Sequence, residues 1–244
     1  MPLLDVRDVT VRFGGSLALN EVSITAEAGA VTGLIGPNGA GKTTMFNVIS
    51  GLQSVSSGRV LLGDRDLTRL SPTKRARQGM GRTFQRLELF TMLSVRDNIR
   101  VAADIHRGWS SSKVDPATKV EELIERVGLT EVADLRVTAV PTGQARLVEL
   151  ARALACDPSL LLLDEPAAGQ NASETERFAE LLRELAASGM AVVLVEHDVQ
   201  LVVGVCDTIH VLDFGRLLAV GTPTEIQTND AVREAYLGRM SESA

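Results

Sequence analysis

The 244 residues are 45% hydrophobic, 23% charged and 3% aromatic, the make-up of a folded globular chain large enough to bury a substantial core, which excludes general disorder. A formal net charge of −6 and a pI near 5.2 argue against a broad nucleic-acid surface; the one basic run, Lys74-Arg75-Ala76-Arg77, is expected to be a solvated helix face. The two cysteines, Cys156 and Cys206, have no ligand-like spacing to each other or to the three histidines, so neither a disulfide framework nor a zinc site is expected, and a reducing compartment is. Met1-Pro2-Leu3-Leu4-Asp5 reaches a charge too early for a secretory signal, and no apolar run approaches the roughly 18 residues that span a bilayer. Work at a membrane would go through docking to another chain.

In chain order, Leu4 to Phe13 alternates with period two before Gly14-Gly15, predicting a half-exposed strand, and a second strand is expected from Leu19 to Ala26. Glu27-Ala28-Gly29 turns the chain into Ala30-Val31-Thr32-Gly33-Leu34-Ile35, a buried strand. Next comes Gly36-Pro37-Asn38-Gly39-Ala40-Gly41-Lys42-Thr43-Thr44, which fits G-x-x-x-x-G-K-[ST] without mismatch and opens a helix ending near Gly51. A hairpin is expected over Gly58 to Leu67. From Arg86 to about Ala155 the pattern becomes helical: Val95 to Arg107, a polar connector Gly108-Trp109-Ser110-Ser111-Ser112, Lys119 to Val127, and Pro141 to Ala155 with Leu147, Leu150, Ala151 and Leu154 on one face. Trp109 reads as a partly buried loop residue or a surface anchor.

The second half returns to α/β alternation. Leu160-Leu161-Leu162-Leu163-Asp164-Glu165 is a buried strand ending in two acids. Ser173-Glu174-Thr175-Glu176 has capping-box spacing ahead of the stripe Phe178, Leu181, Leu182 and Leu185, which Gly189 terminates; Ala191 to Val195 is a further buried strand leading into Glu196-His197-Asp198. Strands apolar on both faces imply a parallel sheet covered by helices. The expected fold is therefore α/β: a phosphate-loop NTPase parallel-sheet core, residues 1–85 and 156–244, with an N-terminal antiparallel β subdomain and an inserted helical subdomain over 86–155, all within one domain.

The glycines of the 36–44 run let backbone N–H groups close around phosphate oxygens at a helix start, Lys42 brings a mobile charge, and the Thr43 hydroxyl can ligate magnesium. In open parallel sheets ligands gather beyond the carboxyl ends of strands, where the 36–44 loop, Asp164-Glu165 and His197 should meet. Asp164 is placed to hold magnesium and Glu165 to orient or deprotonate the attacking water. Phe13, taken alone, is core or a ligand-stacking group, and a single histidine after a strand is more often structural than chemical.

Gly36 to Thr44, Arg82-Thr83-Phe84-Gln85, Thr142-Gly143-Gln144 leading to Glu149-Leu150-Ala151-Arg152-Ala153-Leu154, Leu160 to Pro166, and Val195-Glu196-His197-Asp198 occur in this order. Together they resemble, over nearly the whole chain, the nucleotide-binding subunit of ATP-binding-cassette (ABC) transporters. The resemblance implies an ATPase using ATP and Mg²⁺, in which Phe13 stacks on adenine and Gly36, Asn38, Gly39, Ala40, Gly41, Lys42, Thr43 and Thr44 hold the phosphates. It further implies that Thr43, Gln85 and Asp164 serve the metal, Glu165 is the base, and His197 contacts the γ-phosphate. Ala168-Gly169-Gln170-Asn171 stands in the loop that communicates between protomers, with Asn171 where many members have Asp. Members dimerise, so that Thr142, Gly143 and Gln144 would complete the partner's nucleotide site.

That signature departs from the family's Leu-Ser-Gly-Gly-Gln: here it is Val140-Pro141-Thr142-Gly143-Gln144, and Pro141 offers neither a hydroxyl nor an N–H. Either the helix survives and the Thr142 hydroxyl substitutes, which we expect, or the composite site is weak and an unlike partner is needed. Arg12-Phe13-Gly14-Gly15, Gly81 to Gln85, Ala167 to Asn171 and Glu234-Ala235-Tyr236-Leu237-Gly238 are similar to the branched-chain amino-acid importer branch, which includes urea and short-amide importers. Gln170 and Ala172 differ from it. The implied function is the ATP-hydrolysing subunit of a membrane transporter, importing branched-chain amino acids or similar small polar solutes. Its partners would be integral membrane permease subunits, a second ATPase subunit and a substrate-binding protein, with no nucleic acid, at the cytoplasmic face of the cell membrane. A soluble ABC ATPase of DNA repair or translation and a weakly active regulatory module are the alternatives.

Overall fold

A computed structural model describes residues 2–111 and 113–237; Ser112 of the polar connector and Gly238 of the closing run lie outside them. The chain begins with β1 (Leu4–Phe13), β2 (Ser16–Ala26) and β3 (Val31–Ile35), followed by α1 (Lys42–Ser50), β4 (Ser57–Leu62), β5 (Arg65–Asp66), α2 (Pro72–Ala76) and β6 (Met80–Arg82). Three helices come next, α3 (Val95–Arg107), α4 (Pro116–Arg126) and α5 (Thr142–Leu154). The rest alternates: β7 (Leu160–Asp164), α6 (Ala172–Ala187), β8 (Ala191–Val195), α7 (Val199–Val205), β9 (Thr208–Asp213), β10 (Arg216–Gly221), α8 (Pro223–Thr228) and α9 (Asp230–Leu237).

The strands form two sheets. One is antiparallel, in the order β2-β1-β4-β5; the other, β10-β9-β3-β8-β7-β6, is parallel from β9 to β6 with β10 antiparallel at its edge. Every position of β3, β7 and β8 is buried. Strand geometry then divides each apolar run between two cores. Leu160 and Leu162 face α1 and the antiparallel sheet, whereas Leu161 and Leu163 face α3 to α7. The loops leaving the carboxyl ends of β3, β7 and β8 therefore emerge side by side.

Several expectations need correction. Period-two alternation in β1 breaks at Asp8, whose φ of 47° accompanies a register shift between Val6 and Val9, so Val9, Thr10 and Val11 are all buried. Helix α6 starts earlier than the Ser173 spacing implies: Ser173 already lies in its first turn, and the capping box is Asn171 with Glu174, Asn171 Oδ1 accepting Glu174 N–H and Glu174 accepting Asn171 N–H. On α5 the expected face holds: Leu150, Ala151 and Leu154 are buried in the core and Leu147 packs partly buried against it, with Val148 joining them. The basic run at 74–77 is not a uniformly solvated face. Arg75, 2% exposed, donates to Val48 O and Ile49 O at the end of α1 and to Thr68 O and Leu70 O. It thereby supplies a donor to Ile49 O, which the end of α1 leaves without a helical partner, and shares Val48 O with the N–H of Gly51. Half-buried Trp109 packs edge-on to His106 under Arg77. Among the described residues, no helix is long and apolar enough to cross a membrane.

Candidate nucleotide site

The loop between β3 and α1 depends on glycine for different reasons at its two ends. A Cβ at Gly36 would lie 2.2 Å from Leu212 O; Gly41, with φ 107°, would press a Cβ to within 2.8 Å of Leu19 Cδ2. Gly41 is also the residue that precedes α1, and no side chain caps that helix. Its first N–H groups are thus available for an anion. Lys42 is 7% exposed and its Nζ donates to Gly36 O at 2.6 Å and Pro37 O at 3.1 Å. Burial lowers its pKa, while Glu165 and Asp164 oppose that shift. Uncapped N–H groups beside a buried ammonium whose present acceptors are loop carbonyls form a donor set that fits a polyphosphate.

Glu165 follows β7 with φ 50°, a conformation uncommon for a side chain of its size, and its N–H is bonded to Val195 O. The carboxylate Oε1 accepts from Gln85 Nε2 at 3.0 Å and lies 3.0 Å from His197 Nε2. Beneath them, Glu196 accepts from the N–H groups of Ala167 and His197, fixing the two strand-end loops to one another. Asp164 is 3% exposed; its N–H donates to Thr83 Oγ1 and its carboxylate lies 3.5 Å from Arg82. Burial raises the Asp164 pKa and Arg82 opposes the rise.

These groups surround an open cleft of about 640 Å³, lined by every loop residue from Asn38 to Thr44 and by Gln85, Glu165 and His197. Asp164 and Gly36 are buried and are not part of the lining. Phe13, 51% exposed, ends β1 opposite Ser16 and is not part of the lining. The aromatic that does line the cleft is Phe214, in the β9–β10 turn, which no sequence motif marks. Thr43, Gln85 and Asp164 offer hydroxyl, amide and carboxylate oxygens, a donor set that fits Mg²⁺ held largely by phosphate and water. Among the described residues no cluster of three or more His, Cys, Asp or Glu forms a self-sufficient cage.

Thr142, Gly143 and Gln144 lie elsewhere, in the first turn of α5; Gly143 and Gln144 line a separate cavity of about 400 Å³ between α4, α5 and α6. Pro141 is the residue preceding the helix, with φ −58° and ψ 156°, so α5 begins without distortion and Ala145 N–H reaches Pro141 O. Thr142 is exposed, and Gly143 packs so closely that a Cβ there would be 3.2 Å from Gln170 Cγ.

A family model described as "ABC transporter" matches residues 19–168, and one described as "Branched-chain amino acid ATP-binding cassette transporter" matches residues 216–241. The chain is 40% identical to the high-affinity branched-chain amino acid transport ATP-binding protein LivG of Salmonella typhimurium, across 97% of this chain and 98% of that one. It is 34% identical to the lipopolysaccharide export system ATP-binding protein LptB of Escherichia coli, across 98% of each. A crystal structure of a nucleotide-free ATP-binding cassette from an ABC transporter superposes with a TM-score of 0.88 at 29% identity, covering 97% of this chain and 99% of its own. A dimeric cassette in a post-hydrolysis state, bound to ADP and Pi, gives 0.81 at 25% identity, covering 90% and 98%.

Proposed function

The chain belongs to the ABC transporter family and hydrolyses ATP to energise a membrane transporter, and from that premise we propose how its residues divide the work and what it helps to move. The observation that carries the assignment of roles is the meeting of Gln85, Glu165 and His197 above the Lys42 loop.

Lys42 exchanges its loop carbonyls for phosphate oxygens, and the start of α1 neutralises the β- and γ-phosphates. Glu165 takes the proton of the attacking water, Gln85 orients that water, and His197 holds the γ-phosphate. Bound Mg²⁺, held through Thr43, Gln85 and Asp164, would offset charge on the transferring phosphoryl group. Phe13 stacks on the base. Two subunits close over two nucleotides, each lending Thr142, Gly143 and Gln144 to the other, with the Thr142 hydroxyl in the place of the missing serine. The helical lobe over 86–155 meets the permease at the cytoplasmic face of the cell membrane, and a binding protein delivers the solute on the far side. Import of branched-chain amino acids or similar small polar solutes is supported by the match over 216–241 and by the LivG relatives, and separates this chain from the export system of the LptB relative.

The test is purification from detergent-solubilised native membranes followed by reconstitution. A permease should copurify, and the complex in vesicles should accumulate leucine at the expense of ATP. Recovery of nucleic acid or ribosomes alone, or ATP-driven movement of lipid instead of amino acid, would sink the reading.

A further inference from the structure

The segment from Phe84 to Glu88 has no strand or helix of its own, yet four of its backbone groups are held by side chains of one helix face. Arg146 donates to Phe84 O at 2.8 Å and also to Gln85 O. Glu149, 6% exposed, accepts Glu88 N–H on Oε1 at 2.8 Å and Arg146 on Oε2 at 3.1 Å. Arg152 donates to Glu88 O. Positions 146, 149 and 152 are three apart and so share a face of α5. Immediately upstream the attachments change: Thr83 N–H bonds to Leu162 O of β7, and Arg82 donates to Asn47 and Ser50 of α1. Attachment to the sheet thus gives way to attachment to α5 between Thr83 and Phe84. Gln85 is held at both ends, by its carbonyl to α5 and by its amide to Glu165.

We propose that Arg146, Glu149 and Arg152 are positioning residues that make Gln85 travel with α5, so that nucleotide of a second subunit, bound at the Thr142 end of the same helix, sets how Gln85 meets Glu165. The proposal rests on the roles given above to Gln85 and to the dimer. A helix is stiff, and four backbone bonds leave the segment little freedom of its own. A displacement of α5 against β7 therefore appears at the Gln85–Glu165 contact, and loosening the clamp disconnects the two.

Arg146→Lys keeps a cation beside Glu149 but cannot span both carbonyls. In the full chain its kcat should fall about tenfold, as for a small misplacement of a reacting group, with nucleotide affinity unchanged, and the Glu88 amide should exchange faster with solvent deuterium in nucleotide-free protein. Placed on Gln85→Ala, the same change should lower kcat no further, because both act through one side chain. A full additional tenfold loss in the double variant, or wild-type kcat in Arg146→Lys, overturns the clamp. Wild-type kcat in Gln85→Ala alone instead removes the role of Gln85, and the clamp with it. Should Arg146→Lys fail to fold, Glu149→Gln is judged by the same three readouts.

Discussion

Helix α1 starts behind Gly41 with φ 107°, and α5 starts behind Pro141 with φ −58°; neither has a side-chain cap, whereas Ser94, Asn171, Asp198 and Thr222 cap α3, α6, α7 and α8. The remaining uncapped helices of comparable definition, α2 and α4, begin with proline, which has no N–H to satisfy. Among these helices, the two that start with neither a side-chain cap nor a proline as first residue are thus the two assigned to nucleotide in the proposed function. They differ in support. The start of α1 is backed by Lys42, Glu165 and His197 and its end is closed by Arg75, while the start of α5 offers an exposed Thr142 and is held mainly by close packing of Gly143. On the proposed reading, the half of the site that the chain keeps carries charged and hydrogen-bonding side chains, and the half it would lend is built from backbone and one hydroxyl.

The largest test of that contrast is Glu165→Gln, which should slow hydrolysis by roughly 10³-fold while ATP still binds, measured as single-turnover phosphate release beside fluorescent-nucleotide titration. Wild-type turnover would remove Glu165 as the base. Arg75→Met takes the Arg75 donor from the Ile49, Thr68 and Leu70 carbonyls, leaving Val48 O with Gly51 N–H alone, and should cost about 3 kcal/mol in urea unfolding. A loss below about 0.5 kcal/mol, the range of an ordinary surface change, would show that α1 does not need closing at that end.

A third test concerns the seam between the sheets, where His210 of β9 accepts from Thr25 N–H of β2 and burial pushes its pKa down to about 4. Its unfolded pKa is higher, near 6.5, so protons favour the unfolded chain: the stability it contributes is present above that value and is lost as pH falls toward 4. Between pH 7 and pH 5 the loss should be about 2 kcal/mol, and His210→Asn should flatten that part of the stability curve. An unchanged pH profile in the variant would place the acid sensitivity elsewhere. The smallest effect is expected in the lent half. Thr142→Ala should reduce steady-state hydrolysis about tenfold, about 1.4 kcal/mol, and Pro141→Ser should recover much of it; an unaltered rate in Thr142→Ala rules out the hydroxyl.

Legibility follows the range of the forces involved. Helix α3 and strand β8 lie at the limits their sequence patterns predict, because apolar periodicity and a local cap are written within each segment. Strand β6 is not legible, because its three residues carry no period and its strand partner is β7, distant in the chain. The stretch beyond Asp198 behaves similarly: α7, β9, β10, α8 and α9 are short or lack a clear period, although Thr222 and Glu225 form a capping box that the S/T-x-x-E spacing could reveal. Arg75 and Arg146 look like ordinary cations in the sequence because what makes each matter is a set of carbonyls from other elements. The charged set Arg146, Glu149 and Arg152, at three-residue spacing along α5, is the available signal.

By itself the sequence determined the phosphate loop, the buried strands and the acids at their ends, since glycine freedom, apolar runs and residue chemistry are local properties. Tertiary structure decided what those pieces do together. It brought Gln85 and His197 onto one oxygen of Glu165, put Phe214 in the cleft wall and Phe13 outside it, and tied residues 84–88 to α5. Each of these is a contact between elements distant in the chain, and only packing of the sheet and its helices fixes which side chains come within hydrogen-bonding distance.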